Sequence, residues 1–289
     1  MQHKGRDITN ADPFPPAAVL AKFNLTEPVF VAETALARVW KAQRTDGIPV
    51  ALKVYFERGM RNEADGFRWL KAMQGAPVVQ VYGHDDQSAV IEWLDGPSLG
   101  DLSRSGNDTE AAMELGKLAR TLHSYEAQSL ANLPDLEDWF AELFTLGVPN
   151  ELSDQHRRNF EFCIQLATTL LSDQKDIRPL HGDLHHDNVK LGSRGYTAFD
   201  AKGVLGERTY DLANAFRNPK GARPLVYSAE RIANLRDTFS TTFEVSPSRL
   251  MQWAVVKCAL SIAWRHHPTL QDDDELELLD LLIGVLNSN

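Results

Sequence analysis

Cysteine is scarce in this chain: two in 289 residues, Cys163 and Cys258, far apart and without a C-x-x-C neighbour. That excludes a disulfide framework and a zinc knuckle and fits a reducing compartment. Long hydrophobic runs are missing too. No stretch approaches the roughly 18 apolar residues of a membrane span, and the start, M-Q-H-K-G-R-D-I-T-N, is polar with no apolar leader core. The expectation is a soluble, unsecreted, cytoplasmic protein with no membrane partner. Basic residues are in deficit, 30 Lys and Arg against 40 Asp and Glu, which speaks against a nucleic-acid partner because such affinity rests on cations neutralising phosphates. The deficit is uneven: residues 1–97 carry 11 basic and 12 acidic side chains, residues 98–289 carry 19 and 28. A small-molecule ligand of the second part would favourably be a cation. Internal repeats and low-complexity tracts are absent. What remains is a folded chain of one or two domains, large enough to bury about three quarters of its unfolded surface without a structural metal.

From Pro28 to Tyr55 the chain is valine-rich, alternates in places and contains the turn Thr45-Asp46-Gly47, predicting two or three antiparallel strands. A helix follows over Met60 to Met73, then strands over Val78 to Tyr82 and Ser88 to Leu94. Turn residues gather at Asp95-Gly96-Pro97, and beyond them the texture is helical, with a helix capped by Asp108 or Thr109 and further helices over 136–146, 154–171, 210–217, 228–243, 247–264 and 273–286. Within this part, 179–200 reads as a loop followed by a small hairpin about Gly192-Ser193-Arg194-Gly195. The expected fold class is α+β: a sheet-rich N-terminal lobe with one helix, residues 1–96, and a larger, mostly helical lobe, residues 97–289. Ligands of such two-lobed proteins usually sit in the intervening cleft.

The most informative stretch is His181-Gly182-Asp183-Leu184-His185-His186-Asp187-Asn188, followed by Asp200. A loop aspartate, an asparagine five positions on and a second aspartate beyond a hairpin supply three oxygen-bearing side chains from adjacent segments. Phosphoryl transfer needs such a set: Asp183 to orient an acceptor hydroxyl or take its proton, Asn188 and Asp200 as hard ligands for Mg2+ bridging nucleotide phosphates. The spacing reproduces H-x-D-x-x-x-x-N plus a metal aspartate. A polar turn capping its own backbone is the bland alternative. A zinc site on His181, His185 and His186 is the rival, opposed by Pro179 and Gly182, which break the helix it needs.

Lys53, in Val50-Ala51-Leu52-Lys53-Val54-Tyr55, faces away from Leu52 and Val54 and is a candidate for neutralising ATP phosphates, with Glu63 to hold it. The turn Val31 to Arg38 contains no glycine, so it lacks a Gly-rich phosphate loop; Thr34 and Ala35 offer a weak nucleotide contact. Walker A is absent. The strand end Ile91-Glu92-Trp93-Leu94 offers main-chain groups for an adenine edge, with Glu92 and Leu94 as nucleotide contacts. Asp211 either caps a helix or braces the catalytic loop by accepting its backbone N–H groups. Asp272-Asp273-Asp274-Glu275 reads as a helix start, or as attraction for a cationic substrate.

With these residues in hand, the chain resembles the aminoglycoside phosphotransferase superfamily, and within it the streptomycin 6-phosphotransferase and hydroxyurea kinase group. The resemblance covers nearly the whole chain and is carried by H-G-D-L-H-H-D-N-V from His181, F-D-A-K-G-V-L-G-E-R from Phe199, D-L-A-N-A-F-R-N-P from Asp211 and L-A-R-T-L-H ending at His123. It implies a protein-kinase-like fold and an ATP- and Mg2+-dependent enzyme that phosphorylates a hydroxyl of a small molecule. Carried across by motif, Asp183 is the catalytic aspartate, Asn188 and Asp200 the metal ligands, and Lys53 the phosphate-binding lysine. Ala201 stands where the group often has proline. The implied acceptor is a streptomycin-like aminoglycoside or hydroxyurea. A housekeeping metabolite kinase and a catalytically silent nucleotide-binding regulator are the alternatives. Nothing in the sequence marks the oligomeric state.

Overall fold

A computed structural model describes residues 13–57, 59–60, 63–125, 130 and 132–288; the polar start, read above as free of a leader, lies outside them. The chain forms two compact units, one reaching to residue 61 and including 80–93, the other made of 62–79 and 94–289.

The first unit carries helix α1 (Ala17–Phe23) and strands β1 (Leu25–Glu33), β2 (Ala37–Arg44), β3 (Pro49–Tyr55), β4 (Val81–His84) and β5 (Ser88–Glu92). The strands pair antiparallel in the order β1-β2-β3-β5-β4. Leu25, Trp40, Ala42, Val50, Leu52 and Val90 make the core on one face, with α1 contributing Val19, Leu20 and Phe23. Strand alternation puts Lys53 on the other face, where its ammonium lies 5.6 Å from the Tyr55 ring.

The second unit contains α2 (Glu63–Ala72), α3 (Leu99–Arg104), α4 (Asp108–Ser124), α5 (Leu136–Phe144), α6 (Asp154–Ser172), α7 (Arg223–Val226), α8 (Ala229–Thr242), α9 (Pro247–His266) and α10 (Glu275–Asn287). Two short antiparallel ribbons are set among them: β6 (Ile177–Leu180) with β9 (Val204–Glu207), and β7 (Val189–Gly192) with β8 (Gly195–Ala198). Tighter 3-10 helices span His186–Asn188 and Arg208–Arg217. Helix α9 is buried on every side from Trp253 to Ala263, as expected of a helix packed by α5, α6, α8, α10 and the 208–217 segment.

The strands, the hairpin and the longer helices stand where the sequence puts them, with shifts of a few residues. The strand expected from Val78 begins at Val81, because Val79 N donates instead to Ala198 O (2.9 Å). Asp108 does not cap α4. It is the first helical residue, and its carboxylate is drawn to the buried guanidinium of Arg231 (2.8 and 3.0 Å). Helix α2 packs within the larger unit, where a Cβ added to Gly66 would stand 1.8 Å from Ala201 O. Among the described residues no helix is long and apolar enough to cross a membrane.

Helix α3 opens on a full capping box: Ser98 Oγ accepts from Asp101 N (3.0 Å), and Asp101 Oδ2 accepts from Ser98 N (2.9 Å). Ser98→Ala is expected to cost about 1 kcal/mol, read as a lower urea midpoint with an unchanged slope.

Candidate active site

The loop that leaves β6 at Leu180 is held by a buried carboxylate. Asp211 accepts from His181 N (3.1 Å) and Gly182 N (2.8 Å) and bonds His123 Nε2 (2.9 Å). Of the two readings open for Asp211, the structure therefore shows the brace. Burial by itself raises this carboxyl; the His123 bond and charge and the Gly182 N–H outweigh it, so its pKa lies below the ordinary value. Gly182 supplies the left-handed backbone of the turn, φ +81°. His181 is wholly buried, and burial pushes its pKa down. A neutral ring here donates from Nε2 to Phe199 O (3.0 Å) and accepts at Nδ1 from Asp183 N (3.2 Å), which fixes the tautomer.

The loop and the hairpin bring the predicted oxygen donors onto tied segments. Asn188 Nδ2 donates to Asp183 O (2.9 Å) and lies 3.4 Å from Asp183 Oδ2. Its amide oxygen is thereby turned away from Asp183. Phe199 N donates to Asn188 O (3.0 Å), fastening the residue before Asp200 to the residue just ahead of β7. Asp200 has φ +61°, a left-handed conformation uncommon outside glycine and one in which Asp is enriched. The carboxylates of Asp183 and Asp200 are both part exposed. Among the described residues no three His, Cys, Asp or Glu side chains form a ready-made metal cage. An amide oxygen plus one carboxylate fits Mg2+, which ordinarily takes one or two protein oxygens and completes its shell with phosphates and water.

The remaining predicted residues are placed as follows. Glu63 is buried at the start of α2 and faces the Lys202 ammonium at 3.5 Å, which also stands 3.5 Å from Asp200 Oδ2. Thr34 closes the β1–β2 turn: its hydroxyl donates to Ala37 O (3.0 Å) and accepts from Ala37 N (3.0 Å). Glu92 ends β5, with its N–H on Gln80 O (2.8 Å) and its carboxylate accepting from Gln80 N (3.1 Å). Leu94 belongs to the larger unit and is buried beside Gly192. His185 Nδ1 accepts from Asp187 N (3.2 Å), and Asp187 takes Arg104 Nη1 (2.8 Å) and Lys220 N (2.9 Å). His186 is buried, its pKa pushed down to about 3 by burial first and then by the charge of Arg231.

Three participants lie inside the quoted motifs but carry no role in the sequence reading: Lys202, Asn214 and Arg217. Asn214 Nδ2 donates to Asp183 Oδ1 (2.7 Å), and Arg217 Nη1 donates to Asn214 Oδ1 (2.6 Å). Asp211, Asn214 and Arg217 recur every third residue, the period of a 3-10 helix, and that spacing was the available signal. Arg217 also borders a cavity of about 720 Å³ lined by Tyr227, Arg265, Asp273 and Glu275, among others. The acidic run at 272–275 does start a helix, α10, as expected. Its charges are not idle, since Asp273 binds Arg265 and His266, and Glu275 binds Arg217 and Arg265.

Lys257 of α9 is buried, with its ammonium 4.2 Å from the centre of the Trp264 ring. Burial, then repulsion from Arg217, brings its pKa down from 10.5 to about 7 against the pull of Asp183 and Glu275. Between those two values the unfolded chain holds a proton that the fold has released, so stability from this group rises with pH, by up to ~1.4 kcal/mol per unit. Lys257→Met is expected to flatten that part of the stability profile between pH 7 and 10, and parallel profiles for the two proteins would contradict it.

Residues 22–268 match the aminoglycoside/hydroxyurea antibiotic resistance kinase family. The chain belongs to that family. It is 32% identical over 226 residues, 76% of this chain and 81% of the relative, to a streptomycin 3''-kinase of Klebsiella pneumoniae. Among solved structures, a choline/ethanolamine kinase family protein from Mesorhizobium loti superposes with a TM-score of 0.64 at 13% identity, covering 94% of this chain and 95% of that one. An amicoumacin kinase in complex with AMP-PNP, Ca2+ and Ami gives 0.60 at 15% identity, covering 96% and 94%. An aminoglycoside-3'-phosphotransferase of type VIII gives 0.57 at 21% identity, covering 84% and 96%. Family membership makes the protein a small-molecule phosphotransferase, and the solved structures carry the kinase-like fold expected from the resemblance.

Proposed function

We propose that this family member transfers the γ-phosphoryl group of ATP, with Mg2+, to a hydroxyl of a streptomycin-like aminoglycoside. The observation that carries the reading is the tied arrangement of Asp183, Asn188 and Asp200 on a loop braced from beneath by Asp211. Asp183 orients the acceptor hydroxyl and takes its proton as its oxygen bonds to the γ-phosphorus and the bond from that phosphorus to the β,γ-bridging oxygen breaks, with ADP leaving. Asn188, through its amide oxygen, and Asp200 hold the metal, and Lys202 fixes the Asp200 carboxylate from the side. Bound Mg2+ would neutralise charge on the phosphates and keep them in line. Lys53 supplies an ammonium to the phosphates; Thr34, Glu92 and Leu94 contribute nucleotide contacts; Glu63 holds its cationic partners. Binding of AMP-PNP and a divalent cation by the amicoumacin kinase supports the ATP and metal assignment. The acidic excess of residues 98–289 and the streptomycin kinase relative support a cationic acceptor.

An acceptor screen by coupled ATP consumption, with product mass confirming one added phosphoryl group, tests the reading. Consumption that requires Mg2+ and rises with streptomycin, but not with hydroxyurea, choline or sugars, is the expected result. Stimulation by another metabolite alone would replace the acceptor, and nucleotide binding with no turnover on any acceptor would overturn the enzyme assignment. Which hydroxyl is modified follows from NMR of the product.

A further inference from the structure

Asp183 carries two oxygens, and the structure treats them differently. Oδ1 accepts a short bond from Asn214 Nδ2 (2.7 Å), whereas Oδ2 accepts only a long one from Asn188 Nδ2 (3.4 Å) and lies 4.0 Å from His185 Nε2. The terminal torsion of an aspartate is broad, so a carboxylate with no partner on either oxygen would present them interchangeably. Here the donor on Oδ1 is itself fixed. Arg217 can only donate, so the Asn214 atom 2.6 Å from Nη1 must be the amide oxygen, and the atom facing Asp183 must be the NH2. Arg217 in turn is clamped by two bonds to Glu275, Nε to Oε2 (2.9 Å) and Nη2 to Oε1 (2.8 Å). Asn214 is buried and Arg217 largely so, which leaves the relay little room to rearrange.

We infer that Asn214 and Arg217 are positioning residues that engage Asp183 Oδ1, fix the carboxylate's rotation and leave Oδ2 as the oxygen that accepts the proton of the acceptor hydroxyl. The inference rests on the reading of Asp183 given above and assigns a task to two residues outside its motif. Arg217 acts through Asn214 and touches no reacting atom. A purely architectural role for Asn214 is served by another group, its backbone carbonyl, which accepts from Asn218 Nδ2 (2.9 Å) and survives any side-chain change.

The test uses the full chain with Mg2+-ATP and the acceptor found in the screen. Asn214→Ala is expected to lower kcat about 10- to 100-fold, the scale of a misdirected catalytic group, with both KM values within about twofold of wild type. Asn214→Asp, which preserves shape, should lose at least as much because it opposes a second carboxylate to Oδ1. Arg217→Met should behave as Asn214→Ala does, with Arg217→Lys between it and wild type. The deciding measurement is Asn214→Ala placed on Asp183→Asn. If Asn214 works through Asp183, the second change adds little; the same fold-loss in that background shows a structural effect and overturns the inference. Full kcat in Asn214→Ala overturns it as well. A wild-type protein with no phosphotransfer on any acceptor removes the reading of Asp183, and the inference falls with it.

Discussion

Asp183→Asn is expected to lower turnover about 10²- to 10⁴-fold, the range a positioned proton acceptor contributes, with the fold intact. The size of the effect follows from the bond to Asn214. That bond, at 2.7 Å against 3.4 Å for the Asn188 donor on Oδ2, favours an acceptor at the Oδ1 position, so the new amide sets its oxygen there and its NH2 where Oδ2 stood. A donor then meets the acceptor hydroxyl in place of a base. Phosphorylated product quantified by mass, beside a thermal melt, checks the result. Wild-type turnover in the variant would remove Asp183 from the mechanism, and a loss matched by a large drop in Tm would make its role structural.

The second large effect is expected on stability. Asp211→Ala leaves His181 N, Gly182 N and His123 without their acceptor in a region closed to water. Removing one partner of a buried charged network typically costs 3–5 kcal/mol, about a 10 °C loss in Tm for a unit of this size. The pH dependence has a definite sign. A carboxyl held below its ordinary value in the fold contributes fully above the unfolded value near ~4, and the contribution is lost as pH falls through the folded value. The gap between wild type and Asp211→Ala should therefore hold from pH 5 to 7 and close on acidification below 4. Chemical denaturation across that range measures it, and a gap that widens in acid would contradict the assignment.

Asp183, Asn188 and Asp200 were legible because all three lie within one run, and the turn residues between Gly192 and Gly195 announce the hairpin that carries the chain back. The strands of the first unit were legible for a similar reason, their alternation and turn both being local. Lys202 was only half so: Asp200 stands two residues away, but its other partner, Glu63, lies far off in sequence, and no local pattern records a long-range ion pair. Asn214 and Arg217 were hidden by reading 210–217 at the α-helical period; a three-residue turn aligns them with Asp211 instead. Strands β6 and β9, four residues each, are too short to display an alternation. Asp108 shows a different limit: local propensity favoured a cap, and a buried arginine from α8 overrode it.

The contact between Gly66 and Ala201 has a mechanical consequence. Backbone meets backbone there with no space for even a methyl group, so the joint has no compliant part. Any side chain larger than hydrogen at position 66 would therefore have to part α2 from the peptide that follows Asp200.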